Sequence, residues 1–166
     1  MVILGAAGAG KTSLASEISK RTGLPVVHLD RLFWREGWTP APRDEALREL
    51  EAAVAAPRWI LDGNFLDEDP AIRFARADTV VFLDIPRTRA IWRVLGRLVR
   101  DRGRSRPDLP DGSSEAFDWP LLRWVWRYPK EDRPRVLQLL GELRGRGVDV
   151  HQLRSSSEVR ELLASL

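Results

Sequence analysis

The eight residues Gly5-Ala6-Ala7-Gly8-Ala9-Gly10-Lys11-Thr12 fit the pattern G-x-x-x-x-G-K-[S/T], and each fixed position has a chemical use. Gly5, Gly8 and Gly10 admit backbone conformations closed to residues with a Cβ, so successive N–H groups, Ala9's included, can turn inward around an anion. Lys11 is long enough to reach the β- and γ-phosphates of a nucleotide. Thr12 supplies a hydroxyl to Mg²⁺, and Ser13 follows in the first turn of a helix whose positive end faces the phosphates. The chemistry indicated is the binding of a nucleotide with Mg²⁺.

That chemistry requires a strand ending at Gly5 and a helix beginning at Lys11, and the flanking residues supply both. Val2 to Leu4 is a short apolar run, and the start of the natural chain is left open to an upstream codon. Lys11 to Gly23 is helical, with Leu14, Ala15 and Ile18 on one face and Gly23 then Pro25 marking its end. Further strands are expected in Pro25–Asp30, Arg58–Phe65, Asp78–Pro86 and Val148–Leu153, and helices after Asp44 as N-cap, after Pro86, on either side of Pro129, and after the caps Ser155 to Ser157. Trp119, Trp124 and Trp126, with Phe117 and Leu121, are expected to pack these later helices on the sheet. Most of the strands are continuous apolar runs, as befits a sheet covered on both faces, and strand–helix alternation implies parallel strands with right-handed crossovers.

Composition narrows the class. The 166 residues include no cysteine and only two histidines, His28 and His151, which removes disulfides, thiolate metal sites and cysteine nucleophiles and argues against zinc. No signal-like or membrane-spanning apolar run is present, so a cytoplasmic protein is expected. The net charge is only +3, but Arg87 to Arg106 holds eight arginines and one acid, a local +7 that leaves −4 for the rest. Ile91, Val94, Leu95 and Leu98 make an apolar stripe there, with Arg89, Arg93, Arg97, Arg100 and Arg104 expected on the opposite face. Such a strip either docks on a nucleic acid backbone or closes over the phosphates of one bound nucleotide.

With the phosphate loop stand the segments "HLDRLFW", "WILDGN", "ADTVVFLDIPR", "RGRSRPD" and "LLRWVWRYP". Together they resemble the adenylate-kinase-like P-loop kinases, and within them the bacterial group labelled DNA topology modulation proteins. The resemblance implies a three-layer α/β/α P-loop NTPase fold with a mainly parallel five-stranded sheet. It covers 1–166 as one domain, with an acceptor-binding helical segment at 31–57 and a small lid at 97–114. No guanine-reading segment follows "FLDIPRTRA". The activity implied is transfer of the ATP γ-phosphoryl group to a nucleotide, nucleoside or small hydroxyl metabolite; the group label alone implies a nucleic-acid-binding ATPase that modulates DNA topology. Neither a membrane nor a particular oligomeric state is implied.

The same resemblance assigns roles. Asp62 joins Thr12 on the Mg²⁺ side, the competing reading being a turn-initiating Asp before Gly63. Asp30 and Asn64, with Asp62, fall where the acceptor enters; Asp30 can orient an attacking hydroxyl or simply cap the segment after it. Arg97, Arg100 and Arg104, and Arg123 beyond the lid, join Lys11 as catalytic phosphate contacts, and the loop "LRSSSEV" takes the place of the adenine-contacting loop. Asp84 is expected as a strand-end residue and His28 as a buried, satisfied histidine. Trp34, Trp38 and Trp59 are either core or a flat stacking pocket. One departure bears on the acceptor: the Phe-Pro-Arg that follows the "DG" turn in adenylate kinases is replaced by "NFLDEDP", and Arg31 and Arg35 stand at other spacings from Asp30.

Overall fold

The computed structural model describes residues 1–64, 70–100 and 118–166. In chain order its elements are β1 (Val2–Gly5), α1 (Lys11–Thr22), β2 (Val26–His28), α2 (Leu29–Phe33), β3 (Trp34–Arg35), β4 (Thr39–Pro40), α3 (Arg43–Ala55), β5 (Ile60–Asp62), α4 (Pro70–Ala75), β6 (Thr79–Leu83), α5 (Arg87–Arg100), α6 (Trp119–Glu131), α7 (Arg133–Gly145), β7 (Asp149–Leu153) and α8 (Ser156–Ala164). Five strands form one parallel sheet in the order β2-β5-β1-β6-β7. From β1 the chain crosses first to one side of the sheet and later to the other, which opens a crevice at the carboxyl ends of the central strands.

Side-chain alternation along these strands divides the core in two. Val2, Leu4, Leu61, Val80 and Phe82 bury one face against α2, α3, α7 and Tyr128 of α6. Ile3, Ile60, Val81 and Leu83 bury the other against Leu14, Ala15 and Ile18 of α1 and Leu162 of α8. With both faces covered, the buried apolar residues of the central strands each gain about 1.5–3 kcal/mol for a fully buried aliphatic side chain. The three-layer α/β/α fold expected from the sequence is the observed one.

Helix ends follow local chemistry. Gly23 takes the left-handed conformation (φ +71°), and its N–H closes α1 on the Ser19 carbonyl at 2.8 Å. Ser155 caps α8: its Oγ accepts from the Glu158 N–H at 3.2 Å and donates to the Glu158 carboxylate, which also accepts from the Arg154 N–H. The start of α3 differs from expectation. Pro42, not Asp44, is the N-cap, because the Pro42 carbonyl already accepts from Glu45 and Ala46; Asp44 and Glu45 lie in the first turn, beside the positive helix end.

Three further differences bear on the site. β2 stops at His28 and α2 begins at once, so Asp30 lies in a helical first turn rather than at a strand end. The segment expected to bind the acceptor contains a small antiparallel pair, β3 with β4, turned by Gly37 (φ +68°) and Trp38 (φ +60°), the one left-handed non-glycine among the described residues. Finally, Leu122, Val125 and Tyr128 pack α6 inward, whereas Trp119 and Trp126 are 65 % and 50 % exposed, so these tryptophans do not serve as the expected core. Phe117 and residues 101–114 of the lid region lie outside the described residues. No described helix is long and apolar enough to cross a membrane.

Candidate active site

The phosphate loop leaves β1 at the sheet centre and enters α1 with Gly10 as N-cap, in the left-handed region (φ +104°) and without a side-chain cap, so the first N–H groups of α1 are not claimed by a capping side chain. The shape of the loop is set partly from outside. Gly8 (φ +77°) lies so close to α5 that a Cβ there would stand 2.2 Å from the Ala90 carbonyl oxygen. One turn along the same helix, Arg93 Nη1 donates to the Ala9 carbonyl at 2.9 Å. Helix α5 thus fixes the loop by a steric contact and a charged hydrogen bond together.

Lys11 folds over the loop, its Nζ donating to the Ala6 carbonyl at 3.2 Å. Thr12 Oγ1 donates to Asp62 Oδ2 at 2.7 Å, from the first turn of α1 to the end of β5. His28 Nδ1 meets the same Oδ2 at 3.0 Å. The Asp62 side chain is 5 % exposed, and its second oxygen, Oδ1, is buried with no hydrogen-bond partner among the described residues. Burial alone would raise the pKa of this carboxyl; the His28 hydrogen bond, the Lys11 charge and the Thr12 hydroxyl outweigh it and hold the group below the usual carboxylate range.

This donor set fits Mg²⁺. A hard cation takes oxygen ligands, one or two from protein and the rest from phosphates and water. Thr12 Oγ1 and an ionised Asp62 with one oxygen unclaimed offer oxygens of this kind at the mouth of the loop. Among the described residues no group of three or more His, Asp or Glu forms a metal site by itself.

The remaining expected residues fall in several places. Ser13 is exposed in the first turn of α1 and Ala9 is buried, its carbonyl taken by Arg93. Asp30, half-buried in the first turn of α2, directly follows the His28–Leu29 pair. Asn64 is half-buried, its side chain facing the Tyr128 hydroxyl of α6. Arg93 and Arg97 flank the buried Ala90–Val94 stripe rather than opposing it, and the Arg97 Nε is buried; Arg100 and Arg123 are exposed. Arg104 lies outside the described residues. Arg93 is the contact that periodicity alone does not single out. Its signal was the small residue three positions earlier, Ala90, marking the face that can approach the loop.

Two other groups are occupied structurally. Arg35 pairs with Glu45 at 3.0 Å and Glu49 at 3.2 Å. Trp59 is buried with Nε1 on the Val54 carbonyl, so it belongs to the core, whereas Trp34 and Trp38 meet edge to face with centroids 6.1 Å apart.

Asp84, just beyond β6, is a tie point. It accepts two 2.8 Å bonds from Arg133 and one of 2.7 Å from Gln152, and Arg154 approaches to 3.6 Å. Burial pushes its carboxyl up, but the Arg133 and Gln152 bonds pull it further down. A depressed carboxyl contributes stability above the unfolded-state value and loses it as pH falls through the folded one. Arg133→Met is therefore expected to cost about 1–3 kcal/mol at neutral pH. The gap to wild type should close below about pH 4. Urea unfolding at pH 7 and in acid measures it, and a gap independent of pH would exclude Asp84 as the source.

A strand–loop–helix phosphate cradle at the sheet switch point, with lysine, threonine and aspartate in these places, defines a P-loop protein of the α/β/α kind. The chain belongs to the same family as the uncharacterized protein YqaC of Bacillus subtilis (strain 168), to which it is 31 % identical over 143 residues covering 81 % of this chain and 77 % of that protein. A family model described as isopentenyl transferase matches residues 1–38, the stretch that holds the loop, α1, β2 and α2. The fold is also similar to the structure of deoxyadenosine kinase from M. mycoides with bound dCTP, at 16 % identity and a TM-score of 0.49, over 99 % of this chain and 97 % of that one.

Proposed function

We propose that this protein is an ATP-dependent phosphotransferase that passes the γ-phosphoryl group, with Mg²⁺, to a small-molecule hydroxyl or phosphate acceptor. The observation that carries the reading is the convergence of Lys11, the Thr12–Asp62 pair and Arg93 on one loop. Phosphoryl transfer needs positioning and charge neutralisation more than covalent help from the protein. Loop N–H groups and the α1 terminus hold the phosphates, and Lys11 and the α5 arginines meet charge that develops on the γ-phosphoryl oxygens. The acceptor oxygen forms the new bond to phosphorus as the bond to the β–γ bridging oxygen breaks, and ADP leaves. Asp30, on the first turn after β2, takes or orients the acceptor proton. Thr12 and Asp62 are the residues that would hold Mg²⁺, which supplies charge neutralisation at the β- and γ-phosphates.

The acceptor segment favours small hydroxyl compounds and nucleosides over nucleoside monophosphates. Arg35, the cation on β3, is held by two glutamates. A panel of nucleosides, nucleotides and hydroxyl metabolites incubated with γ-labelled ATP tests the proposal: label should pass to one chemical class in preference to water. Hydrolysis that is stimulated by duplex DNA in a salt-sensitive way, with no labelled small molecule, would establish the nucleic-acid-dependent ATPase in its place.

A further inference from the structure

The close of β2 onto β5 is built around two pairs. His28 is in register with Asp62 across the parallel strands. Leu29, fully buried, lies against Gly63 so closely that a Cβ on that glycine would stand 2.6 Å from the Leu29 Cβ. The second pair leaves the His28 backbone little room to move, and the first sets its ring beside the Asp62 carboxylate. Both carboxylate contacts, from Thr12 Oγ1 and His28 Nδ1, fall on Oδ2, while Oδ1 is left buried without a partner among the described residues. An ionised carboxylate only accepts, so Nδ1 carries the proton.

We propose that His28 is a positioning residue for the Asp62–Thr12 pair: its Nδ1–H fixes the carboxylate so that Oδ2 stays on Thr12 and Oδ1 is held as the anionic oxygen for the phosphate-bound cation. The inference rests on the phosphotransferase reading and deepens it. A histidine kept only for packing would be replaceable here by an apolar residue, like its strand neighbours Val26 and Val27. Its ring instead donates to Asp62, the acid that also accepts from Thr12. Without that donor, Thr12 alone would restrain a buried carboxylate close to the Lys11 charge. The carboxylate would be free to turn, and the metal would lose the oxygen held for it.

Three substitutions separate this role from packing. Asparagine places its amide nitrogen as many bonds from Cα as Nδ1, glutamine reaches one bond farther, and leucine donates nothing. Mg²⁺ is titrated calorimetrically into each protein in complex with a β,γ-imido analogue of ATP, and binding of the analogue without metal is measured alongside. His28→Leu and His28→Gln are expected to weaken Mg²⁺ binding by about tenfold or more, with metal-free analogue affinity nearly unchanged, and His28→Asn to restore most of it. If His28→Leu fails to fold, the contrast between Asn and Gln decides. Equal Mg²⁺ binding in all three variants, or an Asn variant as weak as Gln, overturns the proposal while leaving the nucleotide site intact. A wild-type protein that does not bind the analogue overturns the phosphotransferase reading and this inference with it.

Discussion

Lys11→Ala is expected to lower both phosphoryl transfer and ATP hydrolysis by about a thousandfold in kcat, with a much smaller loss of nucleotide affinity. The division follows from what each group touches. In the proposed site, ground-state phosphates would be held chiefly by backbone N–H groups of the loop and the start of α1, which the substitution leaves in place. The lysine charge matters most as negative charge builds on the oxygens of the transferring group. Folding should survive, because Lys11 is only half-buried and a single bond such as the one it gives the Ala6 carbonyl is worth about 1 kcal/mol. A second consequence concerns Asp62. With Lys11 gone, one of the influences that hold this carboxyl low is lost while its burial remains, so its folded-state pKa rises. Stability contributed by Asp62 is present above the unfolded-state value and lost as pH falls through the folded one, so the acid unfolding limb of the variant should begin at higher pH than that of wild type. Rapid-quench assays with γ-labelled ATP and calorimetry of the metal-free nucleotide complex measure the first effect; acid titration followed by circular dichroism measures the second. A variant that retains a tenth or more of wild-type kcat would remove Lys11 from the transfer step.

Features that depend on local backbone chemistry were legible in the sequence. The strand–loop–helix turn around Gly5–Thr12 is one, since its glycines and lysine lie within eight consecutive positions. The sheet is another, because strands covered on both faces must be apolar throughout, and Val2–Gly5 and Thr79–Leu83 read as such. What escaped depends on contacts between distant segments. The role of His28 follows from the register of β2 on β5, which pairs residues 34 apart. Asp84 is defined by partners at 133, 152 and 154, and Arg93 by the approach of α5 to Gly8. The short helix α4 and the β3–β4 pair carry too few residues for a periodicity to register, and the latter turns on the φ angles of Gly37 and Trp38. Trp119 and Trp126 were misread because large aromatics usually go inward, whereas Trp126 instead stacks under the Arg87 guanidinium, 3.8 Å from its ring centre.

Gly8→Ala tests how far α5 shapes the loop. Gly23 supplies the control: it has a similar left-handed φ, but a Cβ there meets nothing within 4 Å. Gly23→Ala should therefore cost only the backbone strain, about 1 kcal/mol. At Gly8 the same strain is joined by an overlap with the Ala90 carbonyl at 2.2 Å and the Val94 side chain at 2.9 Å, backbone and packed core that cannot rotate away. Relief requires α5 to withdraw, which would uncover Ala90 and Val94 and lengthen the Arg93 bond to the Ala9 carbonyl. The expected cost is about 3–5 kcal/mol, in the range reserved for overpacking combined with strain at a special φ. Nucleotide binding should fall with it even where the variant stays folded, since a loop that has lost its brace presents its N–H groups to the phosphates in several conformations instead of one. Paired urea denaturation of the two alanine variants, with nucleotide titrations below the unfolding transition, reads both effects. Equal destabilisation at the two glycines would mean that the α5 contact carries no energy and that the loop holds its shape unaided. A large difference at Gly8 would make the helix bearing Arg93 and Arg97 part of the phosphate site, so that any motion of α5 during turnover changes the loop as well as the arginines it carries.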